Sequence, residues 1–143
     1  EISRMKGVYT ESLHASTGGA WDFDLTWKPL TGFPVRAGWL SAVRRAQREV
    51  AGGLNLRMPV LMCTSTRSGG TNGARATPVQ LRSTDTVLDV RHMWHGATRI
   101  GPDVTIRTVP GGLHDLALSA PAARSDYEFA LTTWLERRLG APQ

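Results

Sequence analysis

Cysteine occurs once in these 143 residues, at Cys63, so no intrachain disulfide can form. Lysine is nearly as scarce: Lys6 and Lys28 stand against fifteen arginines. No run of about 18 apolar residues is present, which excludes a transmembrane helix. No basic-then-apolar leader opens the chain, so a secretory signal is not expected. The first residue is Glu1, as expected of a processed or excerpted polypeptide. Zinc-finger spacing, an aromatic RNA-binding signature and a Gly-x-x-x-x-Gly-Lys phosphate loop are all missing. Internal repeats and low-complexity stretches are missing too. These absences point to a cytoplasmic protein, at most peripheral to a membrane.

What is present is ordinary for one globular domain: 41% hydrophobic and 20% charged residues. A chain of this size can bury most of its apolar surface without a metal or disulfide staple. The net charge of +5 is uneven. Arg36, Arg44, Arg45, Arg48 and Arg57 face only one acid, Glu49, between residues 36 and 57. Such a run is usually a solvated helix face, though it would also suit an anionic surface.

Residues 1–33 show little periodicity. Ile2 to Leu13 alternates weakly, which fits a short strand or turn. Gly18-Gly19 breaks regular structure and introduces Trp21, Phe23 and Trp27, aromatics that need cover. Residues 38–51 predict an amphipathic helix, with Trp39, Leu40, Val43, Ala46, Gln47 and Val50 on one face and arginines opposite. Gly52-Gly53 ends it. The spacing thus divides the chain into 1–53 and 54–143.

Pro59 to Thr64 is a continuous apolar run, the pattern of a parallel strand buried on both faces. A long polar loop, Ser65 to Ser83, follows it, of a length that is usually functional. Residues 89–100 predict a second amphipathic helix, with Val90, Met93, Trp94, Ala97 and Ile100 on its stripe. Val104 and Ile106 alternate with Thr105 and Arg107 as a half-exposed edge strand. Ser125 to Leu139 predicts the last helix, with Tyr127, Ala130, Leu131, Trp134 and Leu135 inward. Strand, helix, strand, helix defines an α/β class with parallel strands. Two strands alone make an incomplete sheet.

Chemistry in such sheets sits beyond the carboxyl ends of the strands. Two loops qualify: Ser83–Asp89, with its carboxylates, and Pro110–Asp115, with an imidazole. A carboxylate on one ring nitrogen fixes the histidine tautomer, and the other nitrogen can then deprotonate a hydroxyl. Elsewhere, Asp89, His92 and His95 recur at three-residue intervals. That is a weak metal-ligand pattern with Trp94 between, and neither a metal nor a cofactor is expected. Cys63 reads as an inert core thiol.

The stretch Ser83-Thr84-Asp85-Thr86-Val87-Leu88-Asp89-Val90 and the loop Gly111-Gly112-Leu113-His114-Asp115-Leu116-Ala117-Leu118-Ser119 resemble the acid and histidine loops of α/β-hydrolases. The branch is the serine aminopeptidase-like and monoacylglycerol-lipase-like one. Tyr9–His14, Gly18–Phe23 and Trp27-Lys28-Pro29 are similar to its insertion region. The resemblance implies the C-terminal portion of the fold: a cap over residues 14–53, then the last two parallel strands and helices. It implies Asp85 as the triad acid, Asp89 as the alternative, His114 as the general base and Asp115 as a supporting neighbour. The cap aromatics Trp21, Phe23, Trp27, Phe33 and Trp39 would face an apolar acyl-ester substrate, or else simply pack beneath the cap.

The family's Gly-x-Ser-x-Gly nucleophile elbow is lacking. Thr66-Arg67-Ser68-Gly69-Gly70 is the nearest string and lacks the first glycine. The expected partner is therefore an N-terminal half, on the same or another chain, that supplies the serine. The competing expectation is a non-catalytic binding module, associating through the open sheet edge as a homo-oligomer or through its arginine-rich helix. No nucleic-acid partner is expected.

Overall fold

The computed structural model describes residues 3–4, 8–70 and 76–140. Two parallel strands form its centre, β3 (Val60–Ser65) and β4 (Val104–Val109), in register from Val60↔Val104 to Ser65↔Val109. The class is α/β. A second, antiparallel pair joins β1 (Ser3–Arg4) to β2 (Pro34–Val35).

Parallel register puts paired residues on the same face. The even face carries Met62 and Thr64, and the odd face carries Cys63 and Val109. Helix α4 (Val90–Ala97) covers the even face, where Trp94 Nε1–H donates to Thr64 Oγ1 at 2.9 Å. Helix α5 (Pro121–Leu139) covers the odd face. There Val109, Leu116 and Ala123 form the core, with Cys63 and Tyr127 against it. Trp134 Nε1–H reaches Thr105 Oγ1 at 3.3 Å, and a two-pronged Arg138–Asp103 ion pair at 2.7 Å ties the end of α5 to the approach to β4. Pro121 occupies the first turn of α5, where a missing N–H costs nothing. The helix accordingly starts four residues before the expected Ser125.

Helix α2 (Ala37–Gly52) forms where its periodicity requires, yet none of its residues is buried. Its apolar face, through Val43, Ala46 and Val50, lines an open cavity of about 800 Å³ shared with Met62 and Met93. Trp39 is 59% exposed. β3 is likewise less covered than expected: only Thr64 and Ser65 are buried, and residues 60–63 are intermediate. The reason is the narrow sheet. Val60 N–H bonds Asp103 C=O and Thr66 N–H bonds Val109 C=O, so even-numbered backbone groups face β4. The backbone groups of Leu61 and Cys63 point to the other edge, where no described strand pairs with them.

The N-terminal region departs furthest from expectation. Of the stretch Ile2–Leu13, Ser3–Arg4 is a short strand as expected, but Val8–Leu13 is a helix, α1. The chain then closes a tight loop: Ala15 N–H donates to Trp21 C=O and Trp21 N–H to Leu13 C=O. Gly19 permits the approach, because a Cβ there would meet the Leu13 carbonyl at 2.1 Å. Trp21 Nε1–H donates to Leu118 C=O at 2.8 Å, so this segment docks on the loop that follows β4.

The long loop after β3 is shorter in effect than in sequence. Helix α3 (Pro78–Leu81) lies within it, capped reciprocally by Thr77 and Gln80. Before it, the chain at Ser68 bridges Asp85 in parallel: Asp85 N–H donates to Arg67 C=O at 3.0 Å and Gly69 N–H to Asp85 C=O at 2.7 Å. The acid loop is thereby brought back to the carboxyl end of β3.

Candidate active site

Two successive strand ends build the site. The bridge at Ser68 places Asp85 beyond β3. The turn Pro110–Gly112 after β4 leads to His114, and Gly111 takes φ +71°, open to glycine. Gly112 leaves no room for a side chain, since a Cβ would meet Leu116 Cδ2 at 2.6 Å. Buried Ser119 closes the loop, its Oγ accepting from Leu113 N–H at 2.9 Å.

His114 Nδ1–H donates to Asp85 Oδ2 at 3.1 Å. The second oxygen, Oδ1, accepts from Val87 and Leu88 N–H, both at 2.8 Å. Asp85 is 3% exposed and the His114 side chain 30%. Burial pushes Asp85 up, but the imidazole and the two amides together outweigh it and hold it below its ordinary value. His114 is raised above its ordinary value, chiefly by its hydrogen bond to Asp85, with burial opposing. Nε2 of His114 has no partner among the described residues and is the nitrogen free to move a proton. Beside the histidine lies a cleft of about 370 Å³, lined by Leu61, Cys63, Leu116, Tyr127 and Leu131.

The other expected residues fall elsewhere. Asp89 caps α4, accepting from Arg91 N–H at 2.9 Å and pairing with the Arg91 guanidinium. It therefore holds a helix end rather than the histidine. His92 and His95 are exposed on α4, and no cluster of three metal-ligating side chains occurs among the described residues. Cys63 is half-buried, and burial pushes its thiol up. Trp21 and Phe23 are committed to packing: Trp21 to Leu118 and the Arg124 guanidinium, Phe23 edge-on to His14 at 4.8 Å. Trp27, at 82% exposed, and Phe33, at 63%, cover nothing.

Ser68 is used structurally. Its hydroxyl donates to Leu88 C=O and accepts from Val90 N–H, both at 2.9 Å, and so caps the first turn of α4 from a distance. Ser68→Ala should cost about 1–2 kcal/mol, as loss of a cap does. Chemical denaturation would read the loss. Labelling by a serine-directed phosphonate should be the same with and without this hydroxyl.

Sequence reasoning missed Ser119, Lys28 and Tyr9. Tyr9 reaches the site from α1, accepting from Asp115 N–H at 2.9 Å and donating to Asp115 Oδ2 at 3.1 Å. Lys28 Nζ lies 3.8 Å from the same carboxylate. No local pattern signals contacts between residues so far apart. No helix among the described residues is long and apolar enough to cross a membrane. No family model, curated protein or solved structure matches the chain.

Proposed function

We propose that this chain carries the acid and base of a serine hydrolase acting on carboxylic esters, with Asp85 and His114 in those roles. The observation that carries the reading is the buried Asp85 carboxylate on His114 Nδ1, with His114 itself lining a cleft. The nucleophilic serine belongs to sequence beyond these residues, and the open edge of β3 is where an element carrying it would extend the sheet. On this reading the chain is the C-terminal portion of an α/β-hydrolase fold.

Nε2 takes the proton of the serine hydroxyl as its oxygen attacks the ester carbon. Asp85 stabilises the imidazolium that results and keeps Nδ1 protonated. The imidazolium then hands its proton to the leaving alkoxide, and the alcohol departs. Water, deprotonated by the same nitrogen, cleaves the acyl-enzyme and restores the serine. Leu61, Leu116, Tyr127 and Leu131 give the cleft an apolar wall on which an acyl chain could lie, beside the polar His114 and Asp115.

Fluorophosphonate labelling tests this, read by intact mass on the polypeptide that carries the sequence with its serine. One phosphonyl adduct is expected there, and none on the 143 residues alone. An adduct on the 143-residue chain would overturn the assignment of the nucleophile. No adduct on either would favour a second reading, a non-catalytic module. The exposed Phe33, Trp39, Met58 and Phe129, with the unpaired β3 edge, favour association in that case.

A further inference from the structure

We infer that Tyr9 is a positioning residue for His114, acting from the opposite end of the chain through a two-bond bracket on Asp115. The phenol oxygen accepts the Asp115 amide proton at 2.9 Å and donates its own proton to Asp115 Oδ2 at 3.1 Å. Main chain and side chain of the residue next to His114 are thus fixed by one atom. The Tyr9 ring also stands edge-on to the imidazole, centroids 5.7 Å apart at 87°. The ring restricts the imidazole from one side while the bracket fixes the backbone that carries it. Lys28 completes the cluster, its ammonium 5.5 Å from the Tyr9 ring centroid and 3.8 Å from Asp115 Oδ2.

The protonation state suits this role. Burial, opposed by the Asp115 amide and reinforced by the Asp115 charge, pushes the Tyr9 phenol well above its ordinary value. It stays protonated and can donate throughout the range in which a histidine base works. The ionisable groups around His114 are Asp85, Asp115, Lys28 and Tyr9, with Cys63 on the cleft wall. Two carboxylates hold its proton and one ammonium opposes them. Each pull depends on distance, so a loosened loop weakens the Asp85 bond first.

This role rests on His114 being the base. The test reads the imidazole directly by NMR titration, without turnover, so that failure of the hydrolase reading and failure of this one differ. Tyr9→Phe keeps the ring and removes both bonds. The His114 pKa should fall by about half a pH unit or more as the Asp85 bond becomes less populated. Lys28→Met should move it the other way, because the opposing cation is lost. In the unsubstituted protein the Asp115 amide should exchange slowly with deuterium, which holds the proposal to account even where Tyr9→Phe does not fold. An unchanged titration in Tyr9→Phe, a fall in both variants, or an Asp115 amide exchanging like open loop would each overturn it. A fall in Tyr9→Phe alone, in a protein that takes no phosphonate, would leave Tyr9 positioning a histidine that is not a hydrolase base.

Discussion

In the polypeptide that carries this sequence together with its serine, replacing His114 with alanine should lower ester turnover by about 10⁶-fold in kcat, the size of loss seen when the base of a serine triad is removed. The argument is that Nε2 is the only nitrogen of the dyad free to move a proton. Asp85 is buried and its oxygens are engaged by His114, Val87 and Leu88. Removal of the imidazole therefore removes the nitrogen that takes the serine proton. Fold should survive, since His114 is partly exposed and donates only to Asp85. Hydrolysis of a p-nitrophenyl ester, with circular dichroism alongside, checks both halves. A loss below tenfold in a folded variant would sink the triad assignment. Without the substitution, the proposed function requires kcat/KM to rise with pH through an apparent pKa above 6.5, because the base must be neutral and its pKa is raised.

Asp85→Asn should cost about 10⁴-fold in turnover through a different route. The amide oxygen can still accept from Val87 and Leu88, so the loop keeps its shape. The amide NH₂ then faces Nδ1, which must become the acceptor. The proton moves to Nε2, and the nitrogen that should take a proton already holds one. Asp85→Ala removes the acceptor as well and leaves two amides unpaired, costing about 2–3 kcal/mol of stability in addition.

The stability effect has a definite pH window. Asp85 is lowered on folding, so its contribution is complete above its ordinary value of 3.8 and is lost as pH falls through the lower folded value. His114 is raised, so its contribution is complete below 6.5 and is lost as pH rises through the higher folded value. Both are complete between those two ordinary values. The stability difference between the native protein and Asp85→Asn should be largest there and shrink on either side, as urea denaturation across pH would show. A difference flat from pH 3 to 9 would mean that the pair does not couple to folding.

Sequence periodicity located the central elements because they are local. The apolar run at 59–64, the alternation from Val104, and the helical stripes at 38–51, 89–100 and 125–139 each coincide with an element of the structure. Errors concentrate where distant contacts decide. Val8–Leu13 has no clear helical stripe, and Tyr9 within it turns to Asp115. The continuous run in β3 suggested burial on both faces, but two strands cannot cover their own edges. The Pro121 start of α5 was readable from its proline and was overlooked in favour of the stripe. For the site, the two loops are legible from their place beyond the strand ends, and the resemblance supplies the roles of Asp85 and His114. The resemblance puts Asp85 ahead of Asp89, and the fold gives the physical difference: the bridge at Ser68 turns Asp85 toward the histidine, while Asp89 caps a helix. The aromatics of the cap were legible as a group but not by role, since Trp21 anchors a loop while Trp27 lies in solvent.

The Tyr9–Asp115 bracket joins residues 106 positions apart, and the Trp21–Leu118 bond spans 97. During synthesis the N-terminal partners of both contacts wait in the open until the histidine loop emerges from the ribosome. At roughly 5–20 residues per second that wait lasts on the order of 5–20 s. Trp21 lacks its Leu118 partner for that interval. The loop that carries His114 is therefore bracketed only once Tyr9 and Asp115 have both been made.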